Sequence, residues 1–300
     1  MNREHVNVFP VELHLALEQA LGTLVFDIHP LSGGTQQRTF LAATSDNFWV
    51  VRLEKAPGCQ LQRAWSAQQS AAHAGFLTAA LVAHEQTATE QGEYVWSVEA
   101  FIQGVEFDPP GFDATMRPVV GHHVGEQLHN LYAIIVPQFG LLPPNATDQA
   151  PTLAAWLTQQ QARLQPALTL AASHPNLATR WAAAQEILHS YPDTPRLCHG
   201  DFAGTNVLVN ETQLVAAVDW EWAKGGDPAL DFAWWYFWHE DRPTLQAMID
   251  GYAPTDRAAF SQRVLAYALF HALDTLLLYQ AEGNSKGLRY CHEKLQQYCQ

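Results

Sequence analysis

Three side chains that carry oxygen atoms, Asp201, Asn206 and Asp219, interrupt apolar sequence in the second half of the chain. The first two lie within LCHGDFAGTNVLV, and the third ends the apolar run of LVAAVDWEW. Aspartate and asparagine disfavour regular strands, so their position between strand-like segments calls for a chemical reason. A carboxylate can accept the proton of a hydroxyl group, and carboxylate and amide oxygens are ligands that Mg²⁺ prefers.

The residues between these side chains predict a β-hairpin. Its strands are expected at residues 207–209 and 214–218, with NETQ as the turn. Because a hairpin folds its two ends together, we expect Asp201, Asn206 and Asp219 at one edge. Asn206 and Asp219 would hold Mg²⁺ together with nucleotide phosphates, and Asp201 would stay free to accept a hydroxyl proton. This is the arrangement that kinases use for phosphoryl transfer.

The pattern His-Gly-Asp-x-x-x-x-Asn, followed by a hairpin and Asp-Trp-Glu, resembles the aminoglycoside phosphotransferase and choline kinase-like superfamily of small-molecule kinases. The two motifs read HGDFAGTN and VDWEWAKGGDPALDFA here, and the resemblance runs over nearly the whole chain. HGDFAGTNVL and RVLAYALFHALDTLLLYQAEGN look most like the hygromycin-type members. The resemblance implies Mg²⁺ as cofactor, ATP or GTP as phosphoryl donor, and the hydroxyl group of a small molecule as acceptor.

Carried over by position, Asp201 resembles the catalytic base of that family, and Asn206 and Asp219 resemble its Mg²⁺ ligands. His199 resembles a residue that braces the catalytic loop, HGDFAGTN at residues 199–206. Asp227 and Asp231, in GGDPALDFA, have a local structural explanation: the first caps a helix that Pro228 opens, and the second falls in its first turn.

The fold that the resemblance implies is a bilobal, protein-kinase-like α+β fold. We expect an N-terminal lobe with an antiparallel sheet and helices at residues 1–103, and a mainly helical lobe with the catalytic loop and substrate site at residues 104–300. The pattern predicts a helix at 10–22, three strands in TLVFDIHPL, RTFLAAT and FWVVRLE, a helix at 61–83, and a strand pair in EYVWSVEAFIQG. Most of the later sequence has helical periodicity.

Nucleotide binding is assigned to the N-terminal lobe. SGGTQQ resembles the phosphate loop of the family, in which glycines let backbone N–H groups approach phosphates. Arg52 takes the position of the cation that pairs with the phosphates, and the segment that links the lobes would present main-chain groups to the adenine. The residues assigned to the nucleotide are Gly33, Gly34, Thr35, Arg52, Ala100 and Ile102.

Two departures from the family pattern leave an alternative open. Gln36 and Gln37 replace a small polar residue and an asparagine, and the helix after Arg52 contains no acidic residue that could orient the guanidinium. A nucleotide-binding pseudokinase with a regulatory role would fit such changes. The presence of Asp201, Asn206 and Asp219 together argues for an enzyme.

The acceptor is expected to be cationic, because aromatic and acidic side chains cluster in DFAWWYFWHED. Aromatic faces bind ammonium groups, and Glu221, Glu240 and Asp241 could supply anionic partners. Core packing alone also accounts for most of these aromatic residues. An aminoglycoside or amino sugar is the first expectation, and choline, thiamine or homoserine stays open as the acceptor.

Composition agrees with a globular enzyme that acts on a small molecule. The 300 residues are 48% hydrophobic and carry a formal net charge of −14, which repels nucleic acid and anionic membranes. The four cysteines form no CxxC pair, so neither a disulfide framework nor a zinc knuckle is indicated. His271 and Asp274 interrupt the longest apolar run, and we expect a cytoplasmic protein without a membrane span.

Overall fold

The computed structural model describes residues 9–31, 38–107, 112–144, 148–192 and 194–300. It has the bilobal, kinase-like α+β architecture that the motifs imply. The first lobe is built on a five-stranded sheet, and the second consists mainly of helices with two small three-stranded sheets.

Helix α1 (Val11–Leu21) lies between Pro10 and Gly22, as predicted. The five strands that follow form an antiparallel sheet in the order β1-β2-β3-β5-β4. The strands are β1 (Asp27–Pro30), β2 (Arg38–Ala43), β3 (Phe48–Lys55), β4 (Leu81–Thr89) and β5 (Gly92–Ala100). A small apolar cluster between α1 and this sheet contains Leu17, Val51 and Trp96.

The sequence prediction for residues 61–83 was wrong in its second half. Helix α2 spans Cys59–His73, Gly75 follows with a φ of 81°, and Leu81 already begins β4. The strand pair expected within EYVWSVEAFIQG is the single strand β5, whose partner is β4. Alanine-rich sequence favours a helix locally, but pairing with β5 decides the structure of this segment.

Helix α2 packs on the helical lobe. Ala67 and Ala71 of α2 belong to the large apolar cluster of that lobe. Arg63 of α2 is 6% exposed, and its guanidinium donates hydrogen bonds to the carbonyl oxygens of Leu142, Glu221 and Pro144 at 2.8, 2.9 and 3.3 Å. The boundary at 103/104 stays a prediction, and α2 contacts both the sheet of the first lobe and the helical lobe.

The catalytic segment, residues 196–222 with Asp201, Asn206 and Asp219, lies in the helical lobe. The helices of this lobe are α3 (Arg117–Tyr132), α4 (Leu153–Leu170), α5 (Leu177–Leu188), α6 (Ala229–His239), α7 (Arg242–Tyr252), α8 (Arg257–Glu282) and α9 (Ser285–Tyr298). Its strands are β6 (Val105–Glu106), β7 (Gly140–Leu141), β8 (Arg196–Cys198), β9 (Val207–Val209), β10 (Leu214–Ala217) and β11 (Lys224–Gly226). The predicted hairpin is β9 and β10, which pair with each other, and β6 adds to β9.

Helix α8 is long and apolar enough to cross a membrane by length and composition alone. In this structure 61% of its most apolar window is buried inside the protein, against α4, α5, α6 and α9.

Helix α9 was not predicted, although the sequence carries its signals. Asn284 caps its first turn, and Gly287, Cys291, Lys294 and Leu295 are buried at helical spacing.

Helices α3 and α7 approach each other closely through glycines. A Cβ atom at Gly125 of α3 would lie 2.0 Å from the carbonyl oxygen of Met248 on α7, and one at Gly251 of α7 would lie 1.9 Å from the carbonyl oxygen of His122. Only glycine permits this approach of two backbones.

The change Gly125→Ala should therefore force the two helices apart. We expect it to lower the free energy of unfolding by about 1–3 kcal/mol, the usual cost of overpacking a core. Denaturant unfolding measures the effect. Val119→Ala, at a position of α3 that is 52% exposed, is the control and should change stability little. Equal stability of Gly125→Ala and the wild type would contradict the close packing of α3 on α7.

Candidate active site

The catalytic segment leaves β8 through a turn that requires glycine. Gly200 has a φ of 84°, and a Cβ atom on it would lie 2.0 Å from the carbonyl oxygen of Trp222. The chain can pass this point only without a side chain. The turn brings Asp201 to the end of the β9–β10 hairpin, where the spacing predicted it, and places His199 against Val218.

His199 connects the catalytic loop to the hairpin. Its Nε2 lies 2.9 Å from the carbonyl oxygen of Val218, which can only accept, so Nε2 carries the proton. Its Nδ1 then accepts the backbone N–H of Asp201 at 3.3 Å. Burial lowers the pKa of His199, which agrees with this neutral form. These contacts suit the bracing role that the family resemblance implies.

The carboxylate of Asp201 is held at both oxygens. The indole N–H of Trp234 donates to Oδ1 at 2.5 Å, and the amide Nδ2 of Asn206 donates to Oδ2 at 2.8 Å. Burial raises the pKa of Asp201 and the nearby charge of Asp219 adds to the rise, whereas the bond from Trp234 opposes it. A carboxylate held in this way can accept a further hydrogen bond from a substrate hydroxyl, since each oxygen has a second lone pair.

Asn206 and Asp219 lie side by side at the end of the hairpin. The backbone N–H of Val218 donates to the Asn206 carbonyl at 3.0 Å. The Nδ2 of Asn206 also donates to the Asp201 carbonyl at 2.9 Å, so the amide turns Oδ1 away from Asp201. Asp219 has a φ of 68°, a left-handed conformation that costs an aspartate about 1–2 kcal/mol and is often found at functional sites.

The donor set of this pair fits Mg²⁺. One amide oxygen and one carboxylate are hard ligands, and Mg²⁺ usually takes only one or two protein carboxylates and completes its shell with water and phosphate. Within the described residues, no group of three or more His, Cys, Asp or Glu side chains is placed to hold a metal ion. A cation at Asn206 and Asp219 would therefore depend on a nucleotide for further ligands.

Arg52 has an acidic partner after all, and it comes from the sheet. Its Nη2 and Nε lie 3.2 and 3.3 Å from Oε1 of Glu99 on β5, and its Nη1 lies 3.4 Å from Oδ1 of Asp219. Gln68 of α2 donates to Oε2 of Glu99 at 2.9 Å and to the carbonyl oxygen of Ala79 at the same distance. The helix thus supplies an amide where an acid was expected, and the acid comes from β5.

The pairing of Arg52 with Glu99 follows from the register of β3 and β5. Arg52 lies opposite Ser97 in the register of β3 and β5, and Glu99 follows two residues later on the same face. Diagonal neighbours of this kind are within reach of long side chains. The register of the two strands was the missing information.

One face of α6 lies along the catalytic loop. Asp231 accepts the backbone N–H groups of His199 and Gly200, both at 2.8 Å, and the hydroxyl of Tyr132 at 3.1 Å. His239 accepts the backbone N–H of Gly204 at 2.9 Å. The carboxylate of Asp227 accepts from Ala229 at 3.0 Å and pairs with Arg263 at 2.6 Å. The structural roles predicted for Asp227 and Asp231 agree with these contacts.

The three acidic residues assigned to the acceptor have different surroundings. Glu221 lies two residues after Asp219, and burial raises its pKa to about 7, with the charges of Asp219 and Asp201 adding to the rise. Glu240 pairs with Lys294 at 2.7 Å. Asp241 caps α7 through the N–H and hydroxyl of Thr244, at 3.1 and 2.8 Å. Glu221 is thus the acidic residue near the carboxylates of Asp201 and Asp219, and binding of the acceptor by any of the three stays a prediction.

The structure describes only some of the first-lobe residues that the sequence assigns to the nucleotide. Gly33, Gly34 and Thr35, together with Gln36 and Gln37, lie outside the described residues. Ala100 ends β5 and donates its N–H to Ala80 at 2.8 Å, and Ile102 follows in the linking segment. Their main-chain contacts with adenine stay predictions.

Comparison with known proteins gives matches in sequence and in fold. A segment of 97 residues is 34% identical to hygromycin-B 4-O-kinase of Escherichia coli, and it covers 31% of this chain and 28% of the length of that kinase. A thermostable mutant of aminoglycoside phosphotransferase APH(4)-Ia, solved with ADP and hygromycin B, superposes with a TM-score of 0.71 at 20% identity, over 96% of this chain and 98% of the other.

A choline/ethanolamine kinase family protein from Mesorhizobium loti has the same fold, with a TM-score of 0.65 at 18% identity over 96% of this chain and 92% of the other. The sequence profile of the phosphotransferase enzyme family, APH, matches residues 27–262, which include the five strands of the first lobe and the whole catalytic segment. The resemblance stated from the two motifs is confirmed: the chain belongs to the phosphotransferase enzyme family.

Proposed function

We propose that this enzyme transfers the γ-phosphoryl group of ATP or GTP to a hydroxyl group of a small, cationic, aminoglycoside-like acceptor. The observation that carries the proposal is the Asp201 carboxylate, held at both oxygens beside Asn206, Asp219 and Arg52. This constellation joins a proton acceptor, two hard oxygen ligands and a cation, which are the parts that phosphoryl transfer requires.

Each of these residues has a task in the transfer. Asp201 accepts the hydrogen bond of the acceptor hydroxyl, orients its oxygen towards the γ-phosphorus and takes its proton as the new O–P bond forms. The bond from the γ-phosphorus to the bridging oxygen of the donor breaks in the same step, and the nucleoside diphosphate leaves. Arg52, which is held by Glu99, binds the phosphates of the donor as a planar fork. Asn206 and Asp219 would hold Mg²⁺, which neutralises phosphate charge when it is bound.

The acceptor class is supported by charge. Asp201, Asp219 and Glu221 interact electrostatically with one another, with Arg52 as a counter-charge, in a protein of net charge −14. A cationic acceptor would lower the pKa of Glu221 from about 7 and so gain a charged partner on binding. The relative from Escherichia coli is named for phosphorylation of hygromycin B, an acceptor that we extend to this enzyme by proposal.

Choline, thiamine or homoserine is the alternative class of acceptor, and the fold shared with a choline/ethanolamine kinase family protein favours keeping it in the tests. Glu99 supplies the anion that seemed absent from the sequence, so one reason for a pseudokinase is removed.

A thermal-shift screen with Mg-nucleotide separates the two acceptor classes. We expect aminoglycosides to raise the melting temperature more than choline, thiamine or homoserine, because a bound ligand stabilises the folded state.

The change Asp201→Ala should abolish turnover while nucleotide binding persists. We expect kcat to fall at least about 100-fold, the lower end of the usual contribution of a general base, with the Kd for Mg-nucleotide within about threefold of the wild type. Asp46→Ala, in an exposed turn, is the control. Unchanged kcat in Asp201→Ala would remove Asp201 as the base, and nucleotide binding without transfer by the wild type would favour a pseudokinase.

The change Glu99→Gln should disturb the donor site through Arg52. Loss of the ion pair leaves Arg52 with Asp219 as its charged partner, so the guanidinium loses its fixed orientation. We expect the KM for the nucleotide to rise about tenfold, as for the loss of a charged hydrogen bond, and the KM for the acceptor to stay constant. Steady-state kinetics measure both constants. Glu93→Gln, at the exposed start of β5, is the control, and an unchanged nucleotide KM in Glu99→Gln would contradict the role of Glu99.

A further inference from the structure

Trp234 differs from the four aromatic residues of α6 that are fully buried. Phe232, Trp235, Tyr236 and Phe237 are fully buried and pack in the core of the helical lobe. Trp234 is only partly buried, and its indole N–H donates to Oδ1 of Asp201. Core packing does not account for this contact, which joins the helix to the atom that must receive a proton.

Within the described residues, Trp234, Asp231 and His239 of α6 form side-chain hydrogen bonds with the catalytic loop. Asp231, three residues earlier, binds the backbone of His199 and Gly200, and His239, five residues later, binds the backbone of Gly204. Asp231 and Trp234 are neighbours on one helix face because of their spacing. Asp231 and His239 hold main-chain groups, whereas Trp234 holds the reacting carboxylate itself.

The ring of Trp234 packs against three other rings. The Trp234 ring stacks on Phe237, with centroids 5.9 Å apart at 26°, and contacts Trp238 edge-on at 5.7 Å. On another side it meets His271 at 4.7 Å, whose Nε2 lies 3.1 Å from the carbonyl oxygen of Leu230 and therefore donates to it. A ring confined by three others cannot turn its N–H away without disturbing the core.

Together, Trp234 and Asn206 fix the plane of the Asp201 carboxylate. A carboxylate free to rotate about its Cβ–Cγ bond would present an acceptor lone pair to the hydroxyl for only part of the time. With Oδ1 bound by Trp234 and Oδ2 bound by Asn206, one orientation is selected. Asn206 is also assigned to the metal, so Trp234 is the donor devoted to the base.

We propose that Trp234 is a positioning residue for phosphoryl transfer, because its indole N–H holds the Asp201 carboxylate in the orientation that accepts the hydroxyl proton. The inference rests on the proposed function of Asp201 as the base. It adds a residue to the machinery and gives one member of the aromatic run a task in the reaction.

Three variants test the proposal. Trp234→Phe removes the N–H and keeps an aromatic ring. Trp234→His restores a donor, because Nε2 of imidazole has the same place in its five-membered ring as Nε1 of indole. Trp235→Phe is the matched control: it makes the same change at the next residue, whose indole N–H has no hydrogen-bond partner among the described residues.

We expect Trp234→Phe to lower kcat about tenfold, the factor that corresponds to loss of one hydrogen bond to a charged group, with KM for nucleotide and acceptor within about twofold of the wild type. Trp234→His should recover part of the lost kcat, and Trp235→Phe should keep the wild-type kcat. Melting temperatures of all variants report on the fold.

Three results would overturn the proposal while leaving the proposed function intact. They are an unchanged kcat in Trp234→Phe, a rise in acceptor KM without a fall in kcat, and an equal fall of kcat in Trp235→Phe. The first shows that the base is positioned without Trp234, the second that Trp234 binds the acceptor, and the third that packing of α6 alone matters. Absence of phosphoryl transfer by the wild type would overturn the proposed function as well.

Discussion

The buried carboxylate of Asp231 is the constraint on which the catalytic segment depends. It is 1% exposed, and a carboxylate in such a place is costly unless hydrogen bonds replace the lost water. The backbone N–H groups of His199 and Gly200 and the hydroxyl of Tyr132 supply those bonds. These hydrogen bonds to Asp231 fix the position of the catalytic loop. In that position Asp201 lies at the open end of the β9–β10 hairpin.

A second network of hydrogen bonds, made by α2, connects the catalytic segment to the first lobe. Arg63 of α2 binds three carbonyl oxygens of the helical lobe, and one of them belongs to Glu221, two residues after Asp219. On the same helix, Gln68 binds Glu99, which in turn holds Arg52. Helix α2 thus links the cation of the donor site to the turn that follows Asp219. A lobe movement that displaced α2 would change the positions of both together.

The sequence located site residues correctly where residue type and the local secondary-structure pattern indicate the same positions. Asp201, Asn206 and Asp219 were located by residue type and by a hairpin whose turn and strands are local features, and the structure brings them together as expected. The end of α2 was placed wrongly because β4 exists only through its pairing with β5, a partner that local propensity does not reveal. Glu99 and Trp234 were missed for a similar reason: strand register gives Arg52 its anion, and packing of α6 on the loop gives Asp201 its second donor.

The central claim is that this arrangement of charges performs phosphoryl transfer to a small cationic alcohol. Phosphorus NMR of the purified enzyme with Mg-ATP and an aminoglycoside mixture that includes hygromycin B tests it most directly, because it follows donor and product together. The account predicts a new phosphomonoester resonance that grows in equal amount with ADP. Formation of ADP without any phosphomonoester, or an unchanged spectrum with these acceptors and with choline, thiamine and homoserine, would contradict it.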